Sequence, residues 1–387
     1  MISNDLMMQE IKAQSQLFGL CATELIEQAR KLVRKYVSDK VNRVYVTGCG
    51  DSFFAGIACK ETFLRLANIR CEVYQAMEFS RYVCPIEVDQ NALVLSISTS
   101  GKVARTCEAA MRARQKGAVS IAVTGNEGTP LAKASTAAFT VNIPNVIGMA
   151  PGTRSYAASQ LSLICIALAL GQERNVISSS DAAKVLSDIG RIGDAILATV
   201  DKDMPIISSY VDRYCDASCP QRVDIFHVLG NGPNSATAQF GSMKLLESCS
   251  FSSIPTGIEE WAHSQYFVAD AHSHVIFIAP KGASRDRALE VLHAIPVVGA
   301  TSIVICPQDD EKLCAAADVA FPICLDGDVP EWLSHLIYAV PLEMLSMLLS
   351  NKLQRVGLDF EKRPWLKEEN FRQIYDSKIT LDMEERK

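Results

Sequence analysis

The run LVLSISTSGKVARTCEAA, residues 93–110, ends an apolar stretch in Ser98, Thr99, Ser100 and Gly101 before a helical pattern resumes. Hydroxyl side chains where a helix opens are rotatable donors, and the first amides of a helix are donors without intrahelical partners. Together they suit a small anion, a phosphate group above all. Gly101 lets the backbone approach such a ligand closely. A second turn of similar build, Gly48-Cys49-Gly50-Asp51-Ser52, follows an earlier apolar run, and Lys102 and Arg105 add positive charge after the first. One such turn alone is as well explained by helix capping; two in one α/β unit point to anion binding. Gly48-Cys49-Gly50 lacks the third glycine of a dinucleotide fingerprint, which argues against a nicotinamide cofactor.

A second set of residues could move protons. Lys244 and Glu247 stand three apart in SMKLLES, and His263 follows in EEWAHSQYF. Residues three apart on a helix share a face. Met243, Leu245 and Leu246 surround the pair with apolar side chains. A carboxylate so placed and an imidazole further along can act as acid and base near neutral pH. The plainer readings are a surface ion pair and a structural histidine. His272 and His274 alternate at a strand entry without a third ligand, so they read as structural and not as a metal pair. Cys215 and Cys219 lie four apart with no second pair nearby, too little for a zinc site.

The elements that would carry these residues alternate between strand and helix. VNRVYVTGCGDS opens with a strand pattern, and further ones cover 70–74, 92–97, 119–125 and 137–144, with helical stretches at about 53–67 and 103–116. Residues 5–38 read as helical before the first strand, and a long helix is expected from Gly152 to about Leu170. Further helices reach about Tyr214. The layout then restarts: VDIFHVLGNGPNS repeats the build of NRVYVTGCGDS about 180 residues later. HVIFIAP, TSIVICP and DVAFPICL continue the same rhythm. The pattern predicts a parallel sheet flanked by helices, built twice. The expected domains are 1–200 with its N-terminal helices, 206–350, and a tail, 351–387, lying over the site.

The 387 residues are 48% apolar and 21% charged, with a net charge of −6. No global basic field exists to favour nucleic acid or an anionic membrane as partner. The start, MISNDLMMQEIKAQSQ, lacks the apolar core of a secretory signal, and the longest apolar stretch, Leu161–Leu170, is short for a bilayer span. Thirteen scattered cysteines suit reduced thiols in a cytoplasmic protein.

VYVTGCGDSFFAG, AMEFSRY and LSISTSGKVART together resemble the sugar isomerase (SIS) domain family, and GNGPNSATAQFGSMKLLES with EEWAHSQYF resembles a second SIS unit. YAVPLEMLSMLL and GLDFEKRPWLKE extend the likeness, over about residues 40–368, to the isomerase half of glucosamine-6-phosphate synthase and to fructosamine-6-phosphate deglycases. The resemblance implies two tandem SIS domains, each a five-stranded parallel sheet in a three-layer, flavodoxin-like α/β/α arrangement. It implies that Gly50, Ser52, Ser98, Thr99, Ser100, Lys102, Ser155 and Lys244 bind substrate, and that Glu247 transfers the proton between C1 and C2. His263 becomes the ring-opening or general acid–base group, and Lys367 the nearest match to the family's tail lysine. Val103 stands where the synthases have threonine, and Lys102 replaces an acid.

The implied activity is aldose–ketose chemistry on a sugar or amino-sugar 6-phosphate, as an isomerase or with C–N cleavage as a deglycase or deaminase. A non-catalytic sugar-phosphate sensor is the alternative. The glutaminase domain of the synthases has no counterpart, so glutamine-dependent amination is not expected. No metal or organic cofactor is required, because the substrate's carbonyl or imine is the electron sink. The implied assembly is a homodimer with shared active sites.

Overall fold

The computed structural model describes residues 4–142, 151–355 and 364–382. β1 (Arg43–Gly48), β2 (Arg70–Gln75), β3 (Ala92–Ile97), β4 (Val119–Thr124) and β5 (Ala137–Thr140) form one sheet. β6 (Ile225–Leu229), β7 (Ser252–Thr256), β8 (Ser273–Ile278), β9 (Thr301–Pro307) and β10 (Val319–Ile323) form the other. The two sheets share one order, β2-β1-β3-β4-β5 and β7-β6-β8-β9-β10, and their pairings are parallel. The duplication expected from the sequence is realised strand for strand.

Central parallel strands are covered on both faces and therefore read as continuous apolar runs. β3 and β8 are buried along their whole length. β7 is different. SSIPT is short, polar and interrupted by Pro255, as an edge strand tolerates, and it carries no apolar signal in the sequence.

The strand order reverses beside β1. The chain leaves β1 for β2 on one side and returns as β3 on the other. Such a reversal opens a crevice beyond the carboxyl ends of the two strands, where open α/β sheets bind ligands. The Gly48–Ser52 turn ends β1 and the Ser98–Gly101 turn ends β3, so both candidate anion turns meet at this switch point.

The described residues fall into two compact units. One comprises 17–142, 154–187 and 364–382 with the first sheet; the other comprises 4–16, 151–153 and 188–355 with the second. The expected division at 1–200, 206–350 and 351–387 is thereby redrawn at both chain ends. The Asn4–Leu20 helix starts in the second-sheet unit, where Met7 and Ile11 are buried and Gln14 Nε2 donates to the buried Glu343 carboxylate at 2.6 Å. The tail joins the first-sheet unit through its bonds to Arg105, Glu108 and Arg112.

The expected long helix runs from Arg154 to Glu173 and is buried almost throughout. It is the core helix of its unit, packing on the helices Ile26–Tyr36, Asp51–Ala58 and Lys60–Ala67. This helix and the run Glu331–Lys352 are long and apolar enough to cross a membrane, and 89% of each apolar window is buried within the fold.

Candidate active site

The turn after β3 is closed by its own hydroxyls. Ser98 continues the sheet by donating its amide to Val123 O at 3.0 Å, while its buried hydroxyl accepts the Gly101 amide at 3.1 Å. Ser100 Oγ lies 3.5 Å from Ser98 Oγ and accepts the Lys102 amide at 3.3 Å. Gly101 has φ +61°, and a Cβ there would sit 2.3 Å from Thr129 Cβ. Its carbonyl accepts the Leu131 amide at 2.9 Å, and Thr99 O accepts the Gly125 amide at 3.0 Å. The loops after β3 and β4 therefore build one seat. The helix Ala104–Gln115 opens directly from it, with first-turn amides that lack helical acceptors.

A small crevice of about 10 Å³ adjoins this seat, lined by Thr99, Val123, Thr124, Gly125, Val141, Ser155, Ala158, Ser159 and Ser162. Five of these carry hydroxyls and none carries a charge. Ser159 and Ser162 donate back to Ser155 O and Ala158 O, at 2.9 and 2.7 Å, leaving their oxygens as acceptors. Of the expected residues, Thr99 and Ser155 line the crevice. Thr124, Ser159 and Ser162 were not anticipated. Their signal was present in the Thr124-Gly125 turn, which matches the position of the hydroxyl turn one strand earlier, and in serines spaced along one helix face.

The turn after β1 lies alongside. A Cβ on Gly48 would meet Ser52 Cβ at 2.8 Å and Ile97 O at 3.1 Å, so only glycine lets the ends of β1 and β3 approach this closely. Gly50 has φ +54°, and its carbonyl accepts the Phe53 and Phe54 amides that start the next helix. Ser52 is half-buried at that helix's first turn, and Lys102 is exposed. Arg105 is committed elsewhere: its guanidinium donates to Glu108 and to the carbonyls of Ser377 and Lys378.

The second-sheet unit has the same turn with other chemistry. Aligning the ends of β3 and β8 places Ala279, Pro280, Lys281 and Gly282 opposite Ser98, Thr99, Ser100 and Gly101. The Ala283 amide is already taken by Glu331 Oε2 at 3.0 Å. Lys281 Nζ is held by Asp309 at 2.8 Å and Asp328 at 3.0 Å, and these carboxylates keep its ammonium above the ordinary lysine range. The adjoining cavity, about 40 Å³, is lined by Lys281, Asp309, Asp328 and Glu331 among others. Three carboxylates against one lysine repel a phosphate, whereas the first-sheet crevice does not.

Glu247 lies half-buried on the helix Asn234–Cys249 in the second-sheet unit, where Glu247 Oε2 accepts from Lys244 Nζ at 2.7 Å. Lys244 is fully buried, with its ammonium 5.0 Å from the Phe240 ring centroid. The expected pair therefore exists, and it is anchored in the core at the lysine end. His263 ends the helix Ile258–His263 in the same unit and is 71% exposed. Its Nε2 lies 3.3 Å from Glu259 Oε1, a carboxylate that Arg287 also binds at 2.8 Å. Among the described residues, the imidazole is thus partnered on its own helix and not by Glu247.

His274 is structural, as expected. Nε2 donates to Gln221 O at 2.9 Å, which leaves Nδ1 to accept from Tyr210 OH at 2.7 Å, and burial pushes its pKa down to about 4. His272 Nδ1 meets Arg222 O at 3.0 Å. Among the described residues no cluster of three or more histidine, cysteine, aspartate or glutamate side chains could hold a metal. Lys367 lies on the helix Pro364–Tyr375, with Nζ 5.7 Å from the Phe371 ring centroid. The tail lysine whose backbone is tied to the start of the Ala104–Gln115 helix is instead the exposed Lys378.

The model of the SIS domain family matches residues 39–170, the stretch that contains both anion turns. That stretch is a SIS domain. The second sheet repeats the strand order of that stretch, so the same α/β build occurs twice in tandem. A glutamine–fructose-6-phosphate aminotransferase (isomerizing) from Thermus thermophilus is 27% identical over 316 residues, 82% of this chain and 50% of that protein. The chain thus spans about half the length of the curated relatives it matches. The C-terminal domain of glucosamine-fructose-6-phosphate aminotransferase from Francisella tularensis superposes with a TM-score of 0.76 at 20% identity, over 91% of this chain and 97% of that one. Glucosamine-6-phosphate deaminase from Thermotoga maritima gives 0.64 at 18% identity, over 92% and 97%.

Proposed function

We propose that this tandem SIS protein is an enzyme of aldose–ketose chemistry on a sugar or amino-sugar 6-phosphate, working either by isomerisation or with release of an amine. The observation that carries the reading is the hydroxyl turn at the switch point of the first sheet. It offers hydroxyls, helix-start amides and a crevice without carboxylates, and its counterpart in the second sheet is filled by the chain's own acids. The phosphate monoester is assigned to Ser52, Ser98, Thr99 and Ser100, with Ser155 facing the sugar.

Glu247 is the proposed proton-transfer group. A carboxylate can take the proton from one of two adjacent sugar carbons and return it to the other, while the carbonyl or imine oxygen or nitrogen holds the charge of the intermediate. Lys244 fixes the carboxylate's orientation by its hydrogen bond from the buried ammonium. His263, exposed and held by a carboxylate, is assigned to ring opening and to proton exchange with the sugar oxygen. The working assembly is a homodimer in solution. The relatives named above act on glucosamine or fructose phosphates by their names, which supports a hexose 6-phosphate.

The test is a screen of hexose 6-phosphates, glucosamine 6-phosphate and fructosamine 6-phosphates, following ammonia and sugar product separately. Glu247→Gln is expected to keep ligand binding and to lose about 10²–10⁴-fold in turnover. Turnover left intact by Glu247→Gln refutes its role. Binding without turnover in the unaltered protein identifies a sensor. Failure of every phosphate ester to bind removes the reading altogether.

A further inference from the structure

The helix that opens from the hydroxyl turn carries a buried ion cluster with no assigned role. Glu108, with no exposed surface, accepts from Ser80 Oγ at 3.2 Å, Arg81 Nε at 2.9 Å, Arg105 Nη1 and the backbone amide of Thr380 at 3.0 Å. Arg112 Nε lies 3.8 Å from the same carboxylate. Three guanidiniums around one carboxylate leave surplus positive charge, and backbone carbonyls of the tail accept from two of them. Arg105 donates to Ser377 O and Lys378 O; Arg112 donates to Thr380 O at 2.9 and 2.8 Å, and to Asp382 O at 3.4 Å.

The tail is also held on its apolar side. Ile379 packs on the cluster of Cys107, Ala110, Leu131 and Ala134. Cys107 and Ala110 belong to the helix that the turn opens, and the amide of Leu131 holds the carbonyl of Gly101. The segment 377–382 therefore rests on both elements that frame the anion seat.

We propose that Glu108 is a positioning residue: by taking the Thr380 amide and turning Arg105 and Arg112 toward the tail, it couples the docking of segment 377–382 to the seating of a phosphate monoester at Ser98–Gly101. The coupling rests on the phosphate-site reading above. Its physical basis is that the Ala104–Gln115 helix has one orientation in which its free amides face the seat and Arg105 faces the tail. Whatever favours one end of that arrangement favours the other, and linkage makes the effect reciprocal.

Hydrogen exchange of the amides of 377–382, with and without glucose 6-phosphate, tests this alongside calorimetric binding of the same ester. Ligand is expected to slow their exchange by about 5- to 10-fold. Thr380→Pro deletes the donor to Glu108 and keeps the carbonyl that Arg112 binds. It is expected to speed exchange of the neighbouring amides and to weaken binding by the same factor, and Thr380→Ser to change neither. Glu108→Gln, which preserves shape, is expected to act in the same direction as Thr380→Pro. Faster exchange with unchanged affinity in Thr380→Pro overturns the coupling, and unchanged exchange overturns the lock. If the unaltered protein binds no phosphate ester, the phosphate site and the coupling both fall; if it binds and Thr380→Pro binds equally well, only the coupling falls.

Discussion

Replacing Gly101 by alanine, with Gly50→Ala as its control, isolates what the hydroxyl turn owes to close packing. Both glycines have positive φ, +61° and +54°, and Gly50 has ψ −128°, outside the left-handed helical well, so alanine at either costs roughly 1–3 kcal/mol in backbone strain. Each substitution regains about 0.4–1 kcal/mol by restricting the unfolded chain. The surroundings differ sharply. A Cβ at Gly50 meets nothing within 4 Å, whereas one at Gly101 meets Thr129 Cβ, Oγ1 and Cγ2 at 2.3, 2.5 and 2.7 Å. Relieving that overlap must displace Thr129, which caps the next helix by accepting the Ala132 amide at 3.2 Å. Overpacking of this kind costs about 1–3 kcal/mol, a share that Gly101→Ala carries and Gly50→Ala does not. Urea unfolding of the first-sheet transition measures it, and titration with glucose 6-phosphate shows whether the seat has moved. Gly101→Ala is expected to weaken binding at least about 10-fold, because a displacement worth 1.4 kcal/mol at the seat gives that factor. Adding Thr129→Gly should return most of the steric share, since glycine caps a helix only a few tenths of a kcal/mol less well, so about that much remains lost. No recovery of stability on adding Thr129→Gly to Gly101→Ala would refute the close-packed geometry of the turn.

Further outcomes follow from the same physics. Ser98→Ala with Ser100→Ala is expected to abolish binding of glucose 6-phosphate with no residual second class of sites, since Glu331 already occupies the matching amide of the second sheet; calorimetric stoichiometry checks this. His335 is fully buried with both ring nitrogens unpartnered among the described residues, and burial lowers its pKa to about 3. The unfolded chain takes up this proton below the ordinary value of 6.5 and the fold does not, so stability falls as pH drops from 6.5 toward 3. His335→Leu should flatten that limb and, at pH 7, add about 1–3 kcal/mol by removing buried polar atoms without partners. Asp203 has the opposite sign. Burial raises its pKa to about 8, the unfolded chain ionises from 3.8 upward, and stability declines between those values as pH rises. Asp203→Asn should flatten that limb, as urea midpoints across pH would show.

The sequence alone determined the repeated α/β architecture, because buried parallel strands such as β3 and β8 leave apolar runs that no loop or amphipathic helix imitates. It also singled out Ser98–Gly101 and the Lys244–Glu247 pair, since both signals are local: a turn chemistry in one case and an i,i+3 spacing in the other. β7 left no such trace, being a short polar edge strand. Only the tertiary structure decided that Arg105 serves the tail and not the anion, and that Lys378, ahead of Lys367, is tied beside the turn. Those contacts join residues about 270 positions apart. Only the folded chain showed that the second turn is filled by Glu331, from a helix far along the sequence. Periodicity reports which face of an element is buried; the partner that a buried charge finds depends on which distant segment the fold carries to it.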